Sequence, residues 1–319
     1  MIQALYIEDA VRNDPFVHTL CTRYATVPQI PCTHFGEVFN RKGQNFRLQK
    51  QKPSLILAKK GGKLVLPTPE GYGIGSTNNF YFSHMFNCIF DCRYCFLQGL
   101  YQSAHYVVFV NVEDFKQAIV EKLEVANPYF FSGYDCDSLA LEPLTHFVET
   151  FLPFMAKHPE AHFELRTKST QIRFLLKHPP LNNCIVAYSL NPETIVKAVE
   201  HRTPTFKQRL KALRQLQEAG WLIGLRFDPL IYCTTYRELY PPFFKEIFAT
   251  LDPRKIHSVT MGTMRFPKPI AKRIGDLYPD SPLIMRPPTE EQNRELFAFC
   301  ADTVLHSISK EIFFPCENP

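Results

Sequence analysis

From Phe80 to Gly262, seven short apolar runs rich in Val, Ile and aromatic residues alternate with longer segments of helical periodicity. No other feature of this 319-residue chain restricts its fold so sharply. The runs are Phe80–Ser83, Tyr106–Val110, Tyr129–Phe131, Phe163–Arg166, Ile185–Ser189, Leu222–Arg226 and Ser258–Gly262. Helical segments are expected over Glu113–Glu124, Leu141–Ala156, Thr205–Ala219 and Pro242–Ala249, with a last helix near Glu290–His306 on the outside. The third of these is the clearest, with apolar residues at helical spacing and a stop at Gly220. Strands alternating with helices predict a parallel sheet of right-handed βαβ units, open or closed as a barrel. Residues 1–75 lack clean periodicity and end in the Pro/Gly-rich stretch Pro67–Gly75. They are expected to be an irregular N-terminal extension packed on an α/β barrel domain over 76–319.

In such folds chemistry gathers at the carboxyl ends of the strands. Three cysteines, Cys88, Cys92 and Cys95, directly follow the first strand, in Asn87-Cys-Ile-Phe-Asp-Cys-Arg-Tyr-Cys-Phe96. Thiolates at this spacing can hold three corners of a four-iron cluster and leave one iron open. A fully ligated cluster takes four cysteines, and structural zinc takes four ligands, usually as two separated pairs. The open-iron arrangement is what binding and reductive cleavage of S-adenosylmethionine (SAM) requires. Asp135, Asp137, Ser138, Lys168, Ser169, Ser189, Asn191, Arg226 and Asp228 recur at the ends of the other strands and form a candidate pocket lining. The other seven cysteines have no repeated spacing and read as reduced, mostly buried thiols.

Charge and length exclude several classes. The chain is 45% hydrophobic, enough for a large core, and has no eighteen-residue apolar run that reads as a membrane span. No basic-then-apolar leader is evident at Met1–Asp9, so a cytoplasmic location is expected. Net charge is only +5, but eight Lys or Arg and no acid lie between Arg41 and Lys63, and a second basic stretch is Arg265–Arg273. Such patches either neutralise phosphates or form an ordinary solvated face.

The residues around the triplet resemble the radical SAM spore photoproduct lyase family. Cys88–Cys95 with Phe96-Leu-Gln is similar to it, as are Tyr106–Asn111, Leu144-Thr-His146, Thr167-Lys168, Tyr188-Ser-Leu-Asn191, Glu200-His-Arg-Thr203 and Tyr6-Ile-Glu8. The resemblance covers most of the chain. It implies a partial (β/α)6 TIM-type radical SAM barrel, one [4Fe-4S] cluster held by Cys88, Cys92 and Cys95, and SAM contacted by Lys168 and Ser189 with Asn191 nearby. It also implies an iron-sulfur lyase for DNA repair. There a 5'-deoxyadenosyl radical reverses a thymine-thymine photolesion, with electrons from a donor such as flavodoxin or ferredoxin. A damaged base leaves the stack most readily, which favours its capture in a pocket.

The chain departs from the family in two places that concern return of a hydrogen to the product. Where the lyases carry a cysteine donor this chain has Tyr134, with Cys136 two residues later on what is expected to be an exposed loop. The tyrosine that follows the third cluster cysteine in the family is Phe96, whereas the one before it is retained as Tyr94. Tyr134, Cys136 and Tyr94 are therefore the candidate hydrogen-transfer residues. Met285–Glu290 replaces an aromatic, basic segment of the family, so nucleic-acid contacts there do not carry over. Two other readings stay open: radical SAM chemistry on a different nucleic-acid or peptide substrate, and a nucleic-acid-binding protein with a structural metal.

Overall fold

The computed structural model describes residues 2–69, 71–285 and 287–316. Six parallel strands form its centre: β5 (Asn79–Phe82), β9 (Tyr129–Ser132), β10 (His162–Thr167), β11 (Cys184–Ser189), β13 (Leu222–Leu230) and β14 (Ile256–Thr263). β4 (Val65–Pro67) adds antiparallel to β5 at one edge, and β15 (Phe313–Pro315) adds parallel to β14 at the other. The edges stay separate, so the sheet curls into a partial barrel and does not close. Helices pack on its outer face, where Phe82, Phe130, Phe163 and Val186 meet Phe151, Leu213, Leu216 and Phe243 in one apolar core. The helix Phe206–Glu218 begins in a reciprocal capping box between Thr205 and Gln208 and ends before Gly220, whose φ of +90° a side chain resists. Expected Leu141–Ala156 is two helices, Glu142–Thr145 and Phe147–Ala156, because His146 takes a left-handed conformation between them.

The N-terminal region departs from expectation. It is ordered, with β1 (Leu5–Glu8), β2 (Gln29–Cys32) and β3 (Leu55–Ala58) in a second sheet. β8 (Tyr106–Phe109), expected in the barrel, instead pairs with β3, and the short β6 (Met85–Phe86) closes the order β2-β1-β3-β8-β6. Every residue of β3 and β8 is buried, which explains why both read as unbroken apolar runs. The extension and the barrel thus share a segment, and the cysteine loop leaves directly from that junction. No described helix is long and apolar enough to cross a membrane. Glu70 of the Pro67–Gly75 stretch and Arg286 of the Met285–Glu290 stretch lie outside the described residues.

Candidate active site

The cysteine loop is held at several points along its length. Asn87 takes a left-handed turn (φ 66°) and its amide donates to the carbonyls of Ser103 at 2.8 Å and His105 at 2.7 Å. β7 (Asp91–Cys92) then pairs antiparallel with β12 (Glu200–His201), placing Cys92 opposite Glu200. Gln98, on the short helix Leu97–Leu100, donates to Asp91 Oδ1 and the Cys92 carbonyl and accepts from Tyr278. Arg93 pairs with Asp91 at 2.7 Å and lies 4.0 Å over the Tyr278 ring.

All three thiols are free and share an apolar pocket with Phe90, Tyr94, Ile195, Val199 and Ile231. Burial pushes them above their usual range, Cys88 to about 12. Two ammonium groups act against that rise. Lys50 lies beside Cys88 and donates to its carbonyl at 2.7 Å, and Lys168 faces Cys92 and Cys95. Burial opposes the charge on Lys168, but the Cys92 thiol and the Glu200 carboxylate outweigh it and raise its pKa. Among the described residues no three His, Cys, Asp or Glu side chains close on a single ion-sized point. What the thiols share is a loop, an apolar pocket and two countercharges, a donor set suited to a cluster bound by three cysteines.

Behind the loop lies a buried polar network. Tyr94 donates to Glu200, which also accepts from the Asn191 amide at 3.0 Å and pairs with Arg209. Arg209 further donates to the Ser189 carbonyl at 3.2 Å and to Thr203 at 2.7 Å, tying β11 to the segment that braces Cys92. The Asn191 side-chain oxygen Oδ1 is buried without a partner, a vacant acceptor at the sheet edge where β10 and β11 end. Lys168 lies 5.5 Å over the Tyr94 ring, and its backbone N–H donates to Asp137 at 2.6 Å. Asp137 also accepts from Thr167 and from the N–H groups of Leu139 and Ala140, so it fixes the loop after β9. Lys50, Glu200 and Arg209 had no signal as site residues beyond a basic run and the Glu200–Thr203 match; only pairing in space reveals them.

The hydrogen-donor candidates separate. Gly133, at φ +83°, turns the chain where a Cβ would meet Ser138 at 2.6 Å, and Tyr134 follows on the concave side of the sheet. Its ring is 4.3 Å from that of Tyr81, 5.9 Å from Tyr72 and 5.5 Å from Phe96. The two positions at which the chain leaves the lyase pattern, 134 and 96, are therefore neighbours. Cys136 corrects the expectation of an exposed loop. Its thiol is buried in the apolar cluster of the N-terminal sheet with Leu57, Met85 and Val108, 3.9 Å from His84 Nδ1. Tyr94 is likewise buried, with its hydroxyl committed to Glu200. Arg226 is also corrected: fully buried within β13 and paired with Glu164 at 2.7 Å, it does not line a pocket.

The sequence model described as "Spore photoproduct lyase" matches residues 78–298. Spore photoproduct lyase of Geobacillus sp. (strain Y412MC61) is 25% identical over 202 residues, covering 61% of this chain and 59% of that protein. The Bacillus subtilis (strain 168) enzyme is 24% identical over 202 residues, with the same coverage. The chain thus matches about three-fifths of the length of these relatives. A solved double mutant of spore photoproduct lyase with bound AdoMet and dinucleoside spore photoproduct superposes with a TM-score of 0.85 at 18% identity, over 100% of this chain and 99% of that one. Spore photoproduct lyase complexed with dinucleoside spore photoproduct gives 0.83 at 17%, over 99% and 98%. At such identity the likeness is one of fold.

Proposed function

The chain belongs to the spore photoproduct lyase family, and on that premise we propose that it is a radical SAM lyase that reverses a thymine-thymine photolesion in DNA. The reading rests most on one observation: three free thiols against one apolar cluster at the edge of a partial barrel, faced by Lys50 and Lys168. In this reading Cys88, Cys92 and Cys95 hold a [4Fe-4S] cluster, and Lys168, Ser189 and Asn191 hold SAM, the vacant Asn191 oxygen being free to accept from it. Held there, the cluster and SAM would supply hydrogen-abstracting radical chemistry, with one electron from a flavodoxin- or ferredoxin-class donor.

The chain's own residues do the rest. Glu200 with Arg209 keeps the thiol loop and β11 in register. Tyr134 gives its phenolic hydrogen atom to the product radical, since it replaces the family's cysteine and stands beside the phenyl ring at position 96. Exposed Arg41, Lys42, Arg47 and Lys52 suit the DNA backbone. The alternative of another nucleic-acid or peptide substrate draws on the same two departures. Anaerobic reconstitution tests the class: bound iron and sulfide with reductant-dependent 5'-deoxyadenosine are expected, and their absence overturns it. Conversion of the lesion to thymine separates the substrates.

A further inference from the structure

Along β10, Phe163 and Leu165 enter the core beneath the outer helices, so Glu164 and Arg166 turn to the concave face. Arg166 lies two residues before Lys168, one pleat of about 7 Å deeper than the edge where the proposed SAM residues stand. Its guanidinium is 4.9 Å over the Tyr72 ring and 6.0 Å from the centre of Phe131. Tyr72 in turn meets Tyr134 edge to face at 5.9 Å. Among the described residues the only hydrogen bond of the Arg166 side chain runs from Nε to Glu164 at 3.0 Å. Both of its Nη groups are left to donate elsewhere. The charges on this face do not balance. Glu164 is fully buried and serves two guanidiniums, because Arg226 also reaches it, at 2.7 Å and 3.2 Å. Asp228 is taken by Arg265 at 2.9 Å. One positive charge is therefore left over at Arg166, whose side chain is only 19% exposed. Burying an unmatched cation is unfavourable unless an acceptor meets it. The same face holds other buried polar atoms without partners: the hydroxyls of Tyr129 and Thr260 and Nδ1 of His162.

We propose that Arg166 binds the lesion, its Nη groups donating to a carbonyl oxygen of a pyrimidine ring. The inference rests on the repair reading of this site. A base and a phosphodiester both offer oxygen acceptors, but they reach such a place differently. A base is a branch of the chain and enters a pocket alone once it leaves the stack. A phosphodiester continues in both directions, so seating it here would draw backbone on either side below the sheet edge. The aromatic rings of Tyr72, Phe131 and Tyr134 also suit a flat base better than a solvated anion. Held at Nε by Glu164 and on its face by Tyr72, the guanidinium loses little freedom when the ring docks. Its unmatched charge strengthens the hydrogen bond to a neutral carbonyl. The pyrimidine it holds stands one aromatic ring away from Tyr134.

Binding is measured by equilibrium dialysis on reconstituted holoenzyme with SAM and no reductant. Two probes are compared: a phosphate-free dinucleoside spore photoproduct and its phosphodiester-linked dinucleotide. Arg166→Met leaves Glu164 paired with Arg226 and should raise the dissociation constant at least about tenfold for both probes alike. An unchanged dissociation constant overturns the contact. A loss confined to the phosphate-bearing probe assigns Arg166 to the backbone and overturns it as well. In either case, conversion of the lesion to thymine by the unaltered protein leaves the repair reading standing. Unaltered protein that neither binds nor converts either probe overturns the repair reading and this inference with it. If Arg166→Met retains less iron than the unaltered protein, Arg166→Lys, which keeps the charge and loses the fork, carries the same test with the same outcomes.

Discussion

Tyr134 and Cys136 sit two residues apart and face different layers of the fold. Tyr134 is half-buried on the concave side of the barrel sheet, while Cys136 is sealed beneath the N-terminal sheet and pushed well above the ordinary thiol range by burial. Tyr134→Phe is therefore expected to keep SAM cleavage but to divert product radicals, lowering thymine yield about tenfold or more and raising by-products on chromatography. Cys136→Ala should leave the product spectrum as it is, and a rise in by-products would restore the thiol as donor. Beside it His84 stacks on Phe147 at 3.8 Å, and burial, with Lys60, holds its pKa down to about 3. Between pH 6.5 and 3 the unfolded chain binds a proton here that the folded one refuses, so acid destabilises the fold. At pH 5 this amounts to about 2 kcal/mol for one imidazole. Urea midpoints at pH 7.5 and 5 should converge by that amount in His84→Asn relative to the unaltered protein; equal slopes would contradict the assignment.

The elements that matter most are those that hold the thiol loop. The helix Leu97–Leu100 lies so close to the helix Lys268–Leu277 that a Cβ on Gly99 would stand 3.0 Å from the Ile270 carbonyl, a backbone atom unable to turn aside. Gly99→Ala should displace the helix that follows Cys95 and lower bound iron severalfold, read by iron content and visible absorbance; full occupancy would show the contact to be dispensable. Across the barrel, Arg226 on β13 and Glu164 on β10 form a fully buried pair bridging two strands that flank β11. Arg226→Met leaves the carboxylate with Arg166 alone and should cost about 3 kcal/mol in chemical denaturation, without changing 5'-deoxyadenosine formed per folded molecule. Short apolar runs and helical spacing were sufficient to place the six barrel strands, because helices such as Phe147–Ala156 and Phe206–Glu218 cover their outer face. Of the N-terminal sheet only β8 was legible as a strand, and its pairing was not. The strands of this sheet are at most four residues long, and β3 finds its partner β8 some fifty residues away, a pairing that no local pattern announces. The same limit hid Lys50, whose basic run looks solvated although its ammonium is buried against Cys88. It also hid the direction of Cys136, since neighbouring residues on a turn can face opposite layers.

At the scale of the whole molecule, two sheets meet where β5 passes into β6, and the thiol loop springs from that seam. The N-terminal region supplies Lys50 from the helix Phe46–Gln51 and Lys60 from the turn after β3, the barrel supplies Lys168, Ser189 and Asn191 from its edge, and the concave face supplies Tyr81 and Tyr134. Motif spacing accounted for the three cysteines, and the family resemblance for Lys168, Ser189 and Asn191; Lys50 emerged only from packing in space. The central claim is that this assembly turns a radical on a thymine photolesion and returns two thymines. Reconstituted protein should therefore be incubated anaerobically with SAM, reductant and dinucleoside spore photoproduct, and thymine and 5'-deoxyadenosine measured together. The account predicts that both appear with the unaltered protein and that both vanish in Cys92→Ala. Steady formation of 5'-deoxyadenosine with the lesion recovered intact would contradict it.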